Sequence, residues 1–106
     1  MTLSELYQEL KEIGLPIQYH HFTDPPTPPY LVYLFAYSND LMADNINYQT
    51  ISNFQIELYT NKKDLQSEAL VENKLKALFV PYNKIETWID TEKLYQIIYE
   101  IQLIGG

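Results

Sequence analysis

Few residues in this chain are equipped for chemistry. His20 and His21 are its only imidazoles, and among 106 residues there is no cysteine. Disulfides, thiolate metal sites and cysteine nucleophiles are therefore excluded. Successive residues of a strand point to opposite faces, so the two histidines are expected to diverge instead of sharing a metal ion. Asp24 lies nearby, but in a proline-rich turn that suits a metal site poorly. No Ser/His/Asp order carries a G-x-S-x-G elbow, and Gly14 is the only glycine before the terminal Gly105-Gly106 pair, too little for a phosphate-cradling loop. Glu5 with Glu9 and Glu68 with Glu72 have helical i,i+4 spacing. Both pairs are expected on outer helix faces, where solvation denies a carboxyl the raised pKa of a general acid. The residues thus point to no catalytic group, no metal and no cofactor.

Ten tyrosines are the most unusual feature. Strand propensity explains some of them. Tyrosine is also enriched in interface cores, because it offers large contact area at low entropic cost. Tyr33, Tyr37, Tyr59, Tyr95 and Tyr99 all fall on expected strands, and one sheet face cannot hold them all inside a monomer. Leu41 and Met42 are apolar neighbours in an otherwise polar loop. These seven residues are the expected subunit-interface positions.

The elements that would carry them follow from periodicity. The organising stretch is 54–79, where Phe54, Ile56 and Leu58 alternate with Gln55, Glu57 and Tyr59 before the period changes from two to about 3.6. A helix following its strand so closely must fold back over the sheet. Asn61 is its expected cap. Leu65, Ala69, Val71, Leu75, Leu78 and Phe79 are read as its buried stripe, and Glu68, Glu72, Asn73 and Lys76 as its wet side, with Glu72 and Lys76 paired. Pro81 ends it.

Upstream, Thr2-Leu3-Ser4-Glu5 is a capping box for a first helix that buries Leu3, Leu6, Tyr7, Leu10 and Ile13 and stops at Gly14 and Pro16. Residues 17–22 suit a short strand. Pro25-Pro26-Thr27-Pro28-Pro29 forms a stiff connection. Residues 30–37 are apolar on both faces, as in a central strand, and 48–60 return antiparallel to them. A last hairpin joins 84–90 to 94–104, with Tyr95, Ile97, Tyr99, Ile101 and Leu103 on one face. The order α-β-β-β-α-β-β describes a single α+β domain over 1–106, a mostly antiparallel or mixed sheet with both helices on one face.

The net charge is −7, and all seven basic residues are lysines. An acidic chain without arginine repels a nucleic-acid backbone and has no fork for reading base edges. The N-terminus lacks the features of a signal peptide, and no apolar run approaches the roughly 18 residues of a membrane span. A soluble cytosolic protein with no membrane contact is expected.

Leu15-Pro16-Ile17-Gln18-Tyr19-His20-His21-Phe22, the following Pro-Pro-Thr-Pro-Pro-Tyr-Leu-Val-Tyr, Glu57-Leu58-Tyr59-Thr60-Asn61-Lys62-Lys63-Asp64 and Leu94-Tyr95-Gln96-Ile97-Ile98-Tyr99-Glu100 resemble the small tail-terminator proteins. These are also called tail-completion or tail-to-head joining proteins, and belong to long-tailed phages and prophages of Gram-positive bacteria. The resemblance spans nearly the whole chain and implies a non-enzymatic subunit of a ring, expected to be hexameric, at the head–tail junction of the virion. Its implied partners are sister copies, the tail tube protein and the head-connector protein. DNA would pass through such a ring without specific binding. Another neck or minor capsid protein is the nearest alternative. An acidic DNA-mimic inhibitor is a second, although the acids are interleaved with lysines instead of forming dense rows.

Overall fold

The computed structural model describes residues 1–38, 41–43, 46–49 and 51–104, with the backbone alone for 41–43 and 46–49. The first helix, α1 (Leu3–Lys11), opens on the expected capping box. The Glu5 N–H donates to the Thr2 hydroxyl at 3.2 Å, and the Thr2 N–H donates to the Glu5 carboxylate at 3.0 Å. Gly14, at φ 91°, takes the left-handed conformation that turns the chain toward Pro16.

Five strands form one mixed sheet: β1 (Ile17–Tyr19), β2 (Tyr30–Ser38), β5 (Ile51–Thr60), β6 (Asn83–Ile89) and β7 (Leu94–Ile104), in the spatial order β1-β2-β5-β7-β6. Only the β1–β2 pair is parallel; β5 pairs antiparallel with both β2 and β7. The segment between β2 and β5, expected as a loop, contains a small separate hairpin, β3 (Leu41–Ala43) with β4 (Ile46–Gln49).

The alternation read from the sequence is realised. Phe54, Ile56 and Leu58 of β5, Leu31 of β2, and Ile97, Tyr99, Ile101 and Leu103 of β7 meet Leu6 and Leu10 of α1 and Val71 and Leu75 of the second helix in one core. Both helices therefore lie on the same sheet face, so the fold is the expected α+β arrangement. Lys74 ties the helices together by reaching Glu12 at 2.9 Å and Glu9 at 3.3 Å.

The second helix, α2 (Leu65–Ala77), departs from expectation in three ways. Its cap is Asp64 instead of Asn61; the Asp64 carboxylate accepts the Ser67 N–H at 3.0 Å and the Ser67 hydroxyl at 2.8 Å. Its inward face is Ser67, Glu68, Val71 and Leu75, while Leu65, Ala69 and Phe79 are exposed. Glu68 is 2% exposed and Glu72 is half-buried, so neither is the solvated surface acid expected from helix spacing. The cause is β6, which turns Lys84 and Glu86 toward the helix layer opposite Tyr99 and Ile97. Polar sheet-edge residues draw the acids of α2 inward.

Candidate functional site

Three places bring together groups that the sequence marked or that chemistry can use. The first is the cluster between α2 and β6. Lys84 Nζ lies 2.6 Å from Glu68 Oε1 and 2.7 Å from Glu72 Oε2, and Lys63 Nζ lies 2.7 Å from Glu68 Oε2. The Lys84–Glu68 contact is charge pairing without good hydrogen-bond angles. Tyr99 and Tyr82 donate their hydroxyls to Glu72 at 2.8 Å and 3.4 Å. Burial works to raise the pKa of Glu68, but Lys63 and Lys84 bring it below the ordinary carboxylate value. Glu72 follows the same pattern, with Lys84 and Tyr99 outweighing burial. Burial disfavours the Lys84 ammonium, yet Glu68 and Glu72 hold its pKa above that of an ordinary lysine. Glu68, Glu72, Lys63 and Lys84 are each held in the charged form, which suits a clamp and not an acid–base pair.

The second place is the sheet face away from the helices. Its register gathers Tyr30, Val32 and Leu34 of β2, Ile51, Asn53, Gln55, Glu57 and Tyr59 of β5, and the even-numbered residues of β7. One end is covered by the proline-rich segment: Phe22 packs edge-on against Tyr30, and Pro25 lines a small hollow with Tyr30, Val32 and Tyr59. The centre mixes Gln55, Glu57 and Glu100 with Val32, Leu34 and Ile98. Tyr59 donates its hydroxyl to Glu57 at 2.7 Å and accepts from Gln96 at 2.9 Å; burial first, then Glu57, pushes its pKa well above that of a free phenol. At the far end an open cavity of about 420 Å³ is lined by Tyr37, Asn53, Gln55, Tyr82, Glu100 and Ile104, among others. Among the described lining residues Glu100 is the only carboxylate, with no histidine or lysine, so they supply no acid–base pair. They offer contact area.

The seven expected interface residues separate in this geometry. Tyr99 is fully buried under α2 and belongs to the monomer core, which corrects its assignment as an interface residue. Tyr33 lies on the helix face, stacked on Tyr7 at 5.3 Å and edge-on to Tyr19 at 5.1 Å. Tyr95 lies on that face too, 4.8 Å from Trp88. Tyr59 lies on the second face and stacks on Tyr30 at 5.0 Å. Tyr37 is 59% exposed. A bulge at Ala36 puts Tyr37 opposite Asn53, so it leaves the face that Tyr33 and Phe35 share and joins the second one. The side chains of Leu41 and Met42 lie outside the described residues. Most of the tyrosines are thus satisfied by one another within the chain.

Phe79 was missed. It follows α2 at φ 56°, with its N–H on the Lys76 carbonyl and the Val80 N–H on the Leu75 carbonyl, the arrangement that usually places glycine at this point. Its ring is 92% exposed. The signal available in the sequence was its position beyond the last helical turn and two residues before Pro81. Trp88 and Ile85, on the edge strand β6, are also exposed.

The third place is the histidine pair. Both rings are exposed, and they converge, with Nδ1 atoms 3.0 Å apart. This overturns the expectation that they diverge, because β1 ends at Tyr19 and His20 leaves the strand at φ 66°. No group of three or more His, Cys, Asp or Glu placed to hold a metal occurs among the described residues.

No family model and no curated protein matches this chain.

Among the described residues no helix is long and apolar enough to cross a membrane. The functional reading therefore rests on the geometry above and on the resemblance of the sequence motifs.

Proposed function

We propose that this chain is a non-enzymatic virion component: a tail-terminator-like, or tail-completion, subunit. In this reading sister copies close into a ring, a hexamer by the resemblance, that caps the tail tube and meets the head connector. The place of action is then the head–tail junction, with assembly in the host cytoplasm.

The observation that carries the assembly part is Phe79. A bulky residue in the left-handed region costs the monomer about 1–2 kcal/mol that glycine would not. A nearly naked aromatic ring at such a position contributes little to its own fold. Backbone strain kept at an exposed apolar residue supports a contact made outside the monomer. Tyr37, Ile104, Trp88 and Ile85 add exposed apolar area on the second face and at the β6 edge. Contacts between different patches on neighbouring copies generate a ring when the rotation closes.

The charge distribution disfavours the DNA-mimic alternative. Glu9, Glu12, Glu68, Glu72, Glu86 and Asp90 are each paired with a lysine, which breaks up any row of free carboxylates.

Solution mass and negative-stain imaging, alone and with polymerising tail tubes, test the proposal. Rings, or tubes halted at the protein, are the expected result. A chain that stays monomeric at high concentration and leaves tube growth unchanged overturns it, and a monomer that blocks a DNA-binding protein favours the inhibitor.

A further inference from the structure

From the turn at the end of β1 we infer that His20 and His21 form a surface chelate for a divalent transition-metal ion of the square-planar kind, Cu(II) or Ni(II). The inference is independent of the assembly reading and begins with the backbone. The His21 N–H donates to the Tyr19 carbonyl at 2.7 Å, closing a three-residue turn around His20. With φ 66° at its centre, this is the rare hand of γ-turn, strained for any residue except glycine. The His20 N–H donates to the Tyr33 carbonyl at 2.8 Å and pins the turn to β2.

The consequence of this conformation is that adjacent side chains point to one spot. The two imidazoles stand at 88° to each other with ring centroids 5.2 Å apart, and Nδ1 faces Nδ1. At metal–nitrogen distances of about 2.0–2.1 Å, neighbouring corners of a square plane lie about 2.9 Å apart and those of a tetrahedron about 3.3–3.4 Å. The two nitrogens are held by their hydrogen bond at 3.0 Å, so the rings need little movement to take neighbouring corners of a square plane. Imidazole nitrogens in that geometry select Cu(II) or Ni(II) over the hard oxygen-seeking ions.

In the free protein one ring donates an Nδ1 hydrogen to the other. On binding, the two rings turn so that both Nδ1 lone pairs meet an ion set to one side of the N–N line, and each ring carries its proton on Nε2. Water completes the coordination. The rings line the mouth of a hollow of about 140 Å³ with Phe22, Pro25 and Glu92, and the Glu92 carboxylate adds negative potential beside a bound cation.

These are the only imidazoles in the chain, so the test is clean. Untagged full-length protein is titrated with CuCl2 and with NiCl2 by calorimetry, and the Cu(II) form is examined by electron paramagnetic resonance. The expected result is one ion per chain with coupling to two imidazole nitrogens. His21→Ala should lower the affinity at least about tenfold. His20→Gly should do the same while folding normally, since glycine accepts φ 66° without strain. Absence of one-to-one binding, affinity unchanged in both variants, or a spectrum lacking the two imidazole nitrogens overturns the inference.

Discussion

Lys84→Met tests the clamp that the sequence did not reveal. Lys84 stands between two acids that are themselves i,i+4 neighbours on α2, and it neutralises both. Glu68 keeps only 3% of its side chain exposed and Glu72 keeps 19%. Each charge-assisted contact contributes about 1.5–3 kcal/mol, and breaking a buried pair costs about 3–5 kcal/mol. Lys84 is itself 36% exposed, so water screens part of this. Lys63 still holds Glu68, and Tyr99 still holds Glu72, after the substitution. The expected loss is therefore about 2–3 kcal/mol at pH 7, or roughly 10–20 °C in Tm for a domain this size.

The dependence on pH gives the sharper check. The folded-state pKa values of Glu68 and Glu72 are lowered, so their contribution is present above the unfolded carboxyl value and is lost as pH falls through the folded one. At about pH 3.5, below the ordinary carboxyl value, the gap between Lys84→Met and the parent should be smaller than at pH 7. The double variant Glu68→Leu with Lys84→Met should recover part of the loss, because an apolar pair fills the site without leaving a buried charge alone. Urea unfolding followed by circular dichroism at both pH values measures all three. A loss under about 1 kcal/mol at pH 7, or one unchanged at pH 3.5, refutes the clamp.

The remaining expectations separate folding from assembly. Tyr99→Phe should cost the monomer about 0.5–1.5 kcal/mol in urea unfolding by removing one of the donors to Glu72, which keeps Lys84 and Tyr82, and an unchanged midpoint would remove Tyr99 from the network. Tyr37→Glu should leave monomer stability within about 0.5 kcal/mol while reducing the oligomeric mass in light scattering. Phe79→Gly should raise monomer stability by up to about 1 kcal/mol, by relieving the left-handed strain, and still weaken oligomers. If both Phe79→Gly and Tyr37→Glu assembled like the parent, neither residue would belong to the contact. At alkaline pH the signs reverse: the Tyr59 and Tyr99 hydroxyls have raised pKa values, so their stabilisation is complete below about pH 10 and fades as pH rises beyond it. Unfolding midpoints at pH 9 and pH 11 measure that loss.

How much of this was legible follows from which interactions are local. The capping box at Thr2 and Glu5, the period-two faces of β5 and β7 and the final hairpin depend on residues near one another in sequence, and all were readable. The inward turn of Glu68 depends on Lys84, which becomes a neighbour only when β6 pairs with β7. Helical spacing alone therefore assigned Glu68 to solvent. Tyr37 and His20 were misread for a different reason: each follows a single backbone irregularity, a bulge at Ala36 and a left-handed turn, that resets the side-chain alternation. Neither carries the glycine that would have announced it.

These same departures redirect the assembly argument. From strand patterns alone, residues 30–37 read as apolar on both faces and the strand tyrosines as too many for one of them, which leaves apolar surface in need of cover. In the fold the centre of the second face is mixed, with Gln55, Glu57 and Glu100 set among Val32, Leu34 and Ile98, and part of its apolar end is already covered by Phe22 and Pro25. Burying that centre flat against another sheet would cost more than it returns unless each of its polar groups found a partner. Exposed apolar residues do lie at the margins of this face, Tyr37 and Ile104 at one end and Ile85 and Trp88 on the edge strand, with Phe79 beyond α2; Leu65 and Leu70 on α2 and Phe35 on the helix side are exposed as well. Margins of this kind suit side-by-side contact between successive copies, in which one subunit's edge meets a different surface of the next. If copies instead stacked face to face, Gln55→Leu would strengthen association, since it would remove a polar group from the middle of the contact. In a ring joined at its margins the same substitution should leave the oligomeric mass unchanged, and light scattering distinguishes the two.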